Sequence, residues 1–267
     1  MSTLWHNGQW IDENEAIWSA HDRVRLGECV FGTVLCLDGR LIRGPLHMDK
    51  LFNHLKVIDF EIPYDKETLI ETAQTLLQKN AFTAGHHAFN IFVTGGPGGN
   101  GIRPPETRHL QVTMRVLPCP SDFPPIHAVI AQNVRRNEGS PLSQIKCANY
   151  GENIIALKEA RQRGGNEAVL LNNAGNITCA SVASLFIVKD GKLYTPPLSD
   201  GVQSGVTRKT LIQRYNAQEK SLTEEDLAKS DGIYLANSLR GVKPVVSLNG
   251  QTMPEPSLTI DKDFHLE

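Results

Sequence analysis

The sequence SQIKCANYGENIIALKEA occupies residues 143–160 and passes from an extended stretch into a strongly helical one. Lys146 stands just where the change occurs. Lysine is a common solvated residue near the start of a helix, and a lysine that acts as a nucleophile needs a lowered pKa. The segment therefore makes Lys146 a candidate catalytic residue and leaves a merely solvated lysine open as the alternative.

The composition is that of an ordinary globular protein with room for two small domains. Of the 267 residues, 40% are hydrophobic and 21% are charged, and the formal net charge is −2. That charge argues against a nucleic-acid partner held by phosphate neutralisation. The sequence contains five cysteines, and no two of them have CxxC spacing. An odd number without that spacing favours reduced thiols over a disulfide framework. No histidine pair has zinc-ligand spacing with a third ligand nearby, so we expect no metal site.

The N-terminal stretch MSTLWHNGQW has neither a basic region nor an apolar core of the kind found in signal peptides. No apolar run approaches the roughly 20 residues that a membrane-spanning helix needs. We therefore expect a cytoplasmic protein with a small-molecule substrate and no membrane partner.

Hydrophobic periodicity and turn residues predict two α+β domains. Asn-Gly in HNGQW and Asp-Gly in CVFGTVLCLDGRLIRG indicate hairpins, as do the patterns of residues 167–178 and 183–197. Helical spacing is predicted around residues 48–58, 65–82, 149–165, 205–217 and 221–230. The proline-rich stretch 117–125 is the best candidate for a linker. The predicted domains are therefore 1–116 and 126–267.

Two further segments are candidates for ligand binding. SGVTR, residues 204–208, begins a predicted helix, where the backbone N–H groups of Val206 and Thr207 and a threonine hydroxyl form a natural anion site. Ser204 or Thr207 acting only as a helix cap is the alternative. NSLRGVKPV, residues 237–245, offers Ser238 as a second hydroxyl, although a strand and turn without a binding role explain it equally well.

These segments, together with GNITCASVASLF at residues 175–186, resemble the fold-type-IV family of pyridoxal-phosphate enzymes. That family contains the D-amino acid aminotransferases, the branched-chain aminotransferases and the aminodeoxychorismate lyases. The resemblance implies a two-domain α+β fold, pyridoxal 5′-phosphate carried as a Schiff base by Lys146, and a phosphate site at Val206 and Thr207. It also implies a homodimer, since two-fold dimers are the commonest closed assembly. Asn149 and the pair Glu159-Ala160 match the family pattern.

Several positions depart from that pattern. Cys179 stands where the family has a glutamate that binds the pyridine nitrogen, and a thiol with an ordinary pKa of about 8.5 is a poor substitute for a carboxylate. Ser184 replaces an asparagine. Lys50 replaces the arginine that binds the cofactor phosphate, which keeps the charge but loses the bidentate fork. A solvated Lys50 is the alternative interpretation.

The loop TGGPGGNG, residues 94–101, places Gly95 and Asn100 where related enzymes often have arginines for substrate carboxylates. The loop is not a phosphate-binding P-loop, because no Gly-Lys-Ser/Thr follows. Arg103 is the candidate replacement, and Asn149 is the second candidate for substrate binding.

The pattern of residues 237–245 closely resembles that of aminodeoxychorismate lyases, which release pyruvate and form p-aminobenzoate for folate biosynthesis. An elimination that ends in an aromatic ring has a strong thermodynamic pull, so it tolerates the loss of the pyridine carboxylate better than transamination does. We therefore expect a lyase. The alternatives are a D-amino acid or branched-chain aminotransferase, and a non-catalytic or repurposed relative that binds a small anion.

Overall fold

Positive backbone φ angles mark the tight turns that the sequence predicts. The computed structural model describes residues 2–15, 17–99, 101–261 and 264. Asn7 and Gly8 have φ angles of 47° and 90°, and Asp38 and Gly39 have φ angles of 47° and 74°. Asparagine, aspartate and glycine tolerate this left-handed region better than other residues do. Both predicted hairpins form at these turns.

Two compact units make up the chain. Unit 1 comprises Met1–Ser121 and Lys146–Asn149, and unit 2 comprises Asp122–Ile145 and Tyr150–Glu267. In unit 1 an antiparallel six-stranded sheet has the order β2-β1-β6-β5-β3-β4. Its strands are β1 (Thr3–His6), β2 (Gln9–Asp12), β3 (Cys29–Leu37), β4 (Arg40–Leu41), β5 (His86–Thr94) and β6 (Gln111–Pro118).

Two helices of unit 1 pack against this sheet, α1 (Gly44–Val57) and α2 (Lys66–Lys79). Asp65 caps α2 by accepting a hydrogen bond from the backbone N–H of Thr68. Leu69, Ala73 and Leu76 recur along one face of α2 and are fully buried. The helical periodicity of the sequence is therefore confirmed for this part of the chain.

Unit 2 is built on a mixed nine-stranded sheet with the order β12-β11-β10-β13-β14-β7-β8-β9, in which β15 pairs with β14 and β9 also pairs with β10. Its strands are β7 (Ile126–Ile130), β8 (Glu167–Leu171), β9 (Ile177–Ala180), β10 (Ser184–Lys189), β11 (Lys192–Thr195), β12 (Gln218–Glu219), β13 (Gly232–Asn237), β14 (Gly241–Leu248) and β15 (Gln251–Thr252).

The helices of unit 2 are α3 (Gly151–Gln162), α4 (Val206–Tyr215) and α5 (Glu224–Ala228). A reciprocal capping box between Thr223 and Asp226 opens α5, within the stretch 221–230 for which the sequence predicts a helix. Gly164, with a φ angle of 82°, follows the end of α3. Within the described residues, no helix combines the length and the apolar character that crossing a bilayer requires.

The compact units differ from the predicted domains at one place that matters for function. The boundary between Ser121 and Asp122 falls inside the stretch 117–125, but β6 continues to Pro118. Lys146–Asn149 belongs to unit 1, although the sequence places this segment in the C-terminal domain. The reason is backbone pairing with β3, which no local pattern in residues 143–160 reveals.

Candidate active site

The backbone of Lys146 is held by two elements of unit 1. Its carbonyl accepts a hydrogen bond from the N–H of Phe31 at 2.9 Å, and two residues further on the N–H of Ala148 donates to the carbonyl of Cys29 at 2.9 Å. These bonds attach the segment to the edge of β3. The N–H of Lys146 donates to Nδ1 of His54 on α1 at 3.0 Å. A strand and a helix therefore fix the position from which the lysine side chain extends.

The amine of Lys146 lies over an aromatic ring. Its Nζ is 4.3 Å from the centroid of the Phe31 ring, a distance at which the ring face attracts a cation. Burial lowers the pKa of Lys146 from 10.5 to about 8. At neutral pH a substantial fraction of the amine is therefore unprotonated, which is the form that attacks a carbonyl group.

Lys50 projects from α1 in the same unit and is half-buried. Burial, and to a smaller extent the positive charge of Lys146, lower its pKa from 10.5 to about 7. Partial burial and the coupling to Lys146 favour the predicted binding role over an ordinary solvated lysine. Lys50 instead belongs with Lys146 to a group of basic side chains in unit 1.

Two histidines complete that group, and the sequence reasoning missed both. His47 and His54 are 4% and 3% exposed and share one face of α1 with Lys50, at the spacings i, i+3 and i+7. Burial lowers the pKa of each imidazole to about 3, and the charges of Lys50 and Lys146 act in the same sense. Both rings are therefore neutral at physiological pH. Their helical spacing relative to Lys50 was the available signal.

The two candidate substrate-binding residues lie elsewhere in unit 1. Asn149 is exposed, and its side-chain amide packs against Gly27, where a Cβ would clash with the amide oxygen. Arg103 is also exposed, and its carbonyl accepts a hydrogen bond from the buried guanidinium of Arg23 at 3.3 Å. Arg23 also donates to the carbonyl of Ile102 at 2.9 Å. Arg23 thus fixes the backbone of the loop while the Arg103 side chain stays in solvent.

Gly95 lies close to the side chains of Glu28 and Arg23, which an added Cβ would approach to 2.7 Å and 3.1 Å. Arg23 and Glu28 form an ion pair at this place. An arginine side chain at position 95 would therefore displace the pair. Asn100 lies outside the described residues.

In unit 2, Cys179 occupies β9 and is 8% exposed. It packs in an apolar cluster against α3 and its neighbouring strands, with Ala156, Ala160 and Leu170 among its members. Its thiol sulfur receives a weak hydrogen bond from the hydroxyl of Thr178 at 3.6 Å. The carboxylate of Glu167, on the adjacent strand β8, accepts hydrogen bonds from the backbone N–H and the hydroxyl of Ser181.

The hydroxyl groups of Thr207, Ser238 and Ser184 lie near the start of α4. Its N-cap residue, Gly205, has no side chain to cap the helix, so the first backbone N–H groups of α4 face outward from Val206 and Thr207. The hydroxyl of Thr207 lies 3.5 Å from that of Ser238. An added Cβ at Gly205 would lie 3.4 Å from Oγ of Ser184, so the glycine leaves room beside a third hydroxyl. This cradle suits a phosphate group.

The turn that carries Ser238 is anchored on both sides. Oδ1 of Asn237 accepts hydrogen bonds from the N–H groups of Leu239 and Arg240 at 3.0 Å and 2.8 Å. The guanidinium of Arg240 donates to Oε2 of Glu167 at 2.9 Å, and the Glu167 side chain is 1% exposed. An ion pair between a half-buried guanidinium and a buried carboxylate therefore ties the turn between β13 and β14 to β8.

Comparison with known proteins assigns this arrangement to a family. A family model described as amino-transferase class IV matches residues 29–248, which is most of the chain. The chain belongs to the class-IV aminotransferase family. Enzymes of this family use pyridoxal phosphate, so the family, the enzyme class and the cofactor predicted from the sequence are confirmed.

Individual relatives carry different names. A Methanocaldococcus jannaschii protein provisionally named branched-chain-amino-acid aminotransferase is 27% identical, over 94% of this chain and 89% of its own. D-alanine aminotransferase of Listeria innocua is 26% identical, over 91% and 86%. The solved structure of a Legionella pneumophila protein, provisionally named 4-amino-4-deoxychorismate lyase, is 26% identical, with a TM-score of 0.86 and coverage of 96% and 95%. The predicted fold class is confirmed.

The residues of this class-IV chain fit the cofactor, and of the positions that depart from the family pattern one changes the chemistry. Unit 1 offers an amine of lowered pKa at Lys146, and unit 2 offers a glycine cradle with the hydroxyls of Thr207 and Ser238. The difference is Cys179, whose apolar surroundings supply no carboxylate. Within the described residues, no three His, Cys, Asp or Glu side chains are grouped as a metal site requires.

Proposed function

We propose that this class-IV enzyme is a pyridoxal-phosphate-dependent lyase that converts 4-amino-4-deoxychorismate to p-aminobenzoate and pyruvate, a reaction of folate biosynthesis. Lys146 makes the covalent bond to the cofactor aldehyde. The resemblance to the family assigns the binding of its phosphate to Val206, Thr207 and Ser238 and to Lys50, and it assigns Cys179 to its pyridine ring. Asn149 and Arg103 contact the substrate.

The observation that carries the proposal is the environment of Cys179. The thiol is packed among aliphatic side chains, and the nearby carboxylate of Glu167 is engaged by Ser181 and Arg240. When bound, the cofactor withdraws electrons from the carbon that bears the substrate amine, and it does so most strongly when its ring nitrogen is protonated. Without a carboxylate that nitrogen is mostly unprotonated. A reaction driven by formation of an aromatic ring depends least on this electron withdrawal.

Lys146 is the base that the reaction needs. Once the substrate amine has taken its place on the cofactor, the freed amine of Lys146 would remove the proton from the ring carbon that bears the substrate nitrogen, and the enolpyruvyl ether oxygen would leave from the neighbouring carbon with the bonding electrons. The ring becomes aromatic, and the released enol takes up a proton to become pyruvate. A pKa of about 8 matches this work, because an efficient general base has a pKa near the working pH.

Two further features belong to the proposal. The active form is a homodimer, which is the commonest closed assembly. Its compartment is the cytoplasm, since the five cysteines include no pair with the spacing of a redox or metal motif.

The test is a direct assay with 4-amino-4-deoxychorismate. Fluorescence of p-aminobenzoate and enzymatic detection of pyruvate should report equal amounts of the two products. Lys146→Ala should abolish both products and the visible absorption band that borohydride removes. Lys158→Ala, a change at an exposed lysine of α3, is the matched control and should keep all three signals. The proposal fails if the cofactor-loaded protein forms neither product.

An aminotransferase is the second candidate, favoured by the names of the Methanocaldococcus and Listeria relatives. Transfer of the amino group from D-alanine or a branched-chain amino acid to a 2-oxo acid, without p-aminobenzoate formation, would support it. A protein that shows no absorption band after incubation with excess pyridoxal phosphate would instead be the non-catalytic relative.

A further inference from the structure

We propose that His54 is a positioning residue for Lys146. Its Nδ1 accepts a hydrogen bond from the backbone N–H of the lysine and so sets the direction in which the lysine side chain extends from the backbone. The inference rests on the proposed function, in which Lys146 makes the covalent bond to the cofactor. It assigns a role to a helix residue that touches neither substrate nor cofactor in that proposal.

Three of the contacts that Lys146 makes bear on its position: one with an imidazole, one with a backbone N–H and one with an aromatic ring. Its N–H is bound by the imidazole of His54 at 3.0 Å, and its carbonyl by the N–H of Phe31 at 2.9 Å. Its Nζ lies 4.3 Å from the ring centroid of the same Phe31. Phe31, on β3, therefore contacts both the backbone carbonyl and the side-chain amine of Lys146, and His54, on α1, binds its backbone N–H. Without the imidazole, rotation of the peptide unit preceding Lys146 would move the amine off the ring.

The imidazole is suited to accept rather than to donate at Nδ1. His54 is 3% exposed, and burial lowers its pKa to about 3, with the charges of Lys50 and Lys146 acting in the same sense. The ring is therefore neutral over the whole physiological range, and acceptance at Nδ1 places its single proton on Nε2. A protonated ring would carry a hydrogen on Nδ1 and would lose this bond. The positive charges of Arg43, Lys50 and Lys146 lower the pKa of His47, the other buried histidine of α1, in the same sense.

The experiment compares three substitutions of His54 and one control. In His54→Asn, the amide oxygen takes the place of Nδ1 and keeps an acceptor. In His54→Gln, the amide reaches the place of Nε2 instead, and His54→Leu has no acceptor at all. His87→Leu is the matched control, because His87 is a buried histidine of unit 1 on β5 that stacks on Phe82.

The first measurement is native-state hydrogen exchange of individual amides. Exchange of the Lys146 amide should become about tenfold faster in His54→Leu and His54→Gln, which corresponds to the loss of one net hydrogen bond. It should stay near the wild-type rate in His54→Asn and in the control. The Ala148 amide, which donates to Cys29, is the internal reference and should not change. Equal exchange of the Lys146 amide in all folded variants overturns the proposal.

The second measurement separates positioning from binding. Pyridoxal phosphate is added to each protein, and the borohydride-removable band is followed over time. His54→Leu and His54→Gln should lower the maximal rate of band formation about tenfold, whereas the cofactor concentration that gives half the maximal rate should stay constant. His54→Asn should recover most of the rate. A general loss of structure would change both quantities and would not be recovered by asparagine, so such a result counts against positioning.

The two hypotheses fail in different ways. If peptide mapping places the reduced adduct on another lysine, the proposed function is wrong, and the exchange rates still decide whether His54 holds Lys146. If the adduct forms on Lys146 at the same rate in wild type and His54→Leu, the proposed function stands and the positioning role is wrong. If His54→Leu does not fold, the comparison between His54→Asn and His54→Gln gives the same decision.

Discussion

The lowered pKa of Lys146 makes a quantitative prediction about its reactivity. With a pKa of about 8, roughly one amine in ten is unprotonated at pH 7, whereas an ordinary lysine with a pKa of 10.5 has only about one in three thousand. The neutral amine of Lys146 is therefore about 300 times more abundant than that of a typical lysine. Its reaction with a neutral acylating reagent should rise with pH and level off above pH 9.

Competitive labelling of the cofactor-free protein with trace acetic anhydride measures this titration residue by residue. Each lysine is quantified by mass spectrometry after complete second labelling in denaturant, and the exposed Lys56 serves as the reference. The expected midpoint for Lys146 is near pH 8. A midpoint near pH 10 in the folded protein would refute the argument that burial of this amine prepares it for covalent chemistry.

The same shift affects stability, and its sign can be worked out. The folded pKa of about 8 lies below the unfolded value of 10.5, so the unfolded chain binds more protons between these two pH values. The contribution of Lys146 to the free energy of unfolding therefore increases as the pH rises from about 8 to 10.5. Lys146→Met should remove this part of the pH dependence in urea unfolding of the cofactor-free protein.

Four other predictions follow from the contacts described above. Arg240→Met leaves the buried carboxylate of Glu167 without its cation and should lower the free energy of unfolding by about 2–3 kcal/mol in urea titrations, and a change near zero would contradict a structural role for the pair. Cys179→Glu should raise transaminase activity at a cost of about 1–3 kcal/mol in stability, because a carboxylate keeps the pyridine nitrogen protonated. A stable, cofactor-loaded variant with an unchanged rate would make Cys179 an ordinary packing residue. Lys50→Arg should lower the dissociation constant for pyridoxal phosphate about three- to tenfold in equilibrium dialysis by providing a bidentate fork, and equal affinities would argue against phosphate binding at this position. Sedimentation velocity should find a dimer, and a monomer at all concentrations would disprove the proposed assembly.

Local chemistry accounts for what was predictable in the fold. The turns at Asn7-Gly8 and Asp38-Gly39 form because those residues tolerate positive φ angles, and neighbouring strands then pair through short connections. The capping box at Thr223 depends on atoms three residues apart. Each of these features involves few residues that are close in sequence, so composition and spacing are enough to predict it.

Local sequence features do not predict that Lys146 belongs to unit 1. The segment 143–160 reads as part of the C-terminal domain, because its helix α3 belongs there. Three residues of it, Lys146 to Ala148, nonetheless pair with β3, more than one hundred positions earlier in the chain. Backbone pairing of this kind depends on which strand has unpaired N–H and C=O groups after the sheet has formed. The residues of the segment itself do not indicate which strand that is.

From the sequence, the resemblance of its segments to the fold-type-IV family was enough to predict the family, the cofactor and the candidate lysine. Only the tertiary structure decided the surroundings of that lysine: the acceptor on His54, the ring of Phe31 and the lowered pKa of Lys50. It also decided that Glu167 is committed to Arg240, 73 residues away, and is not available to replace the carboxylate missing at Cys179. The physical reason is that burial and long-range hydrogen bonds, which set pKa values and orient side chains, arise when distant segments pack together.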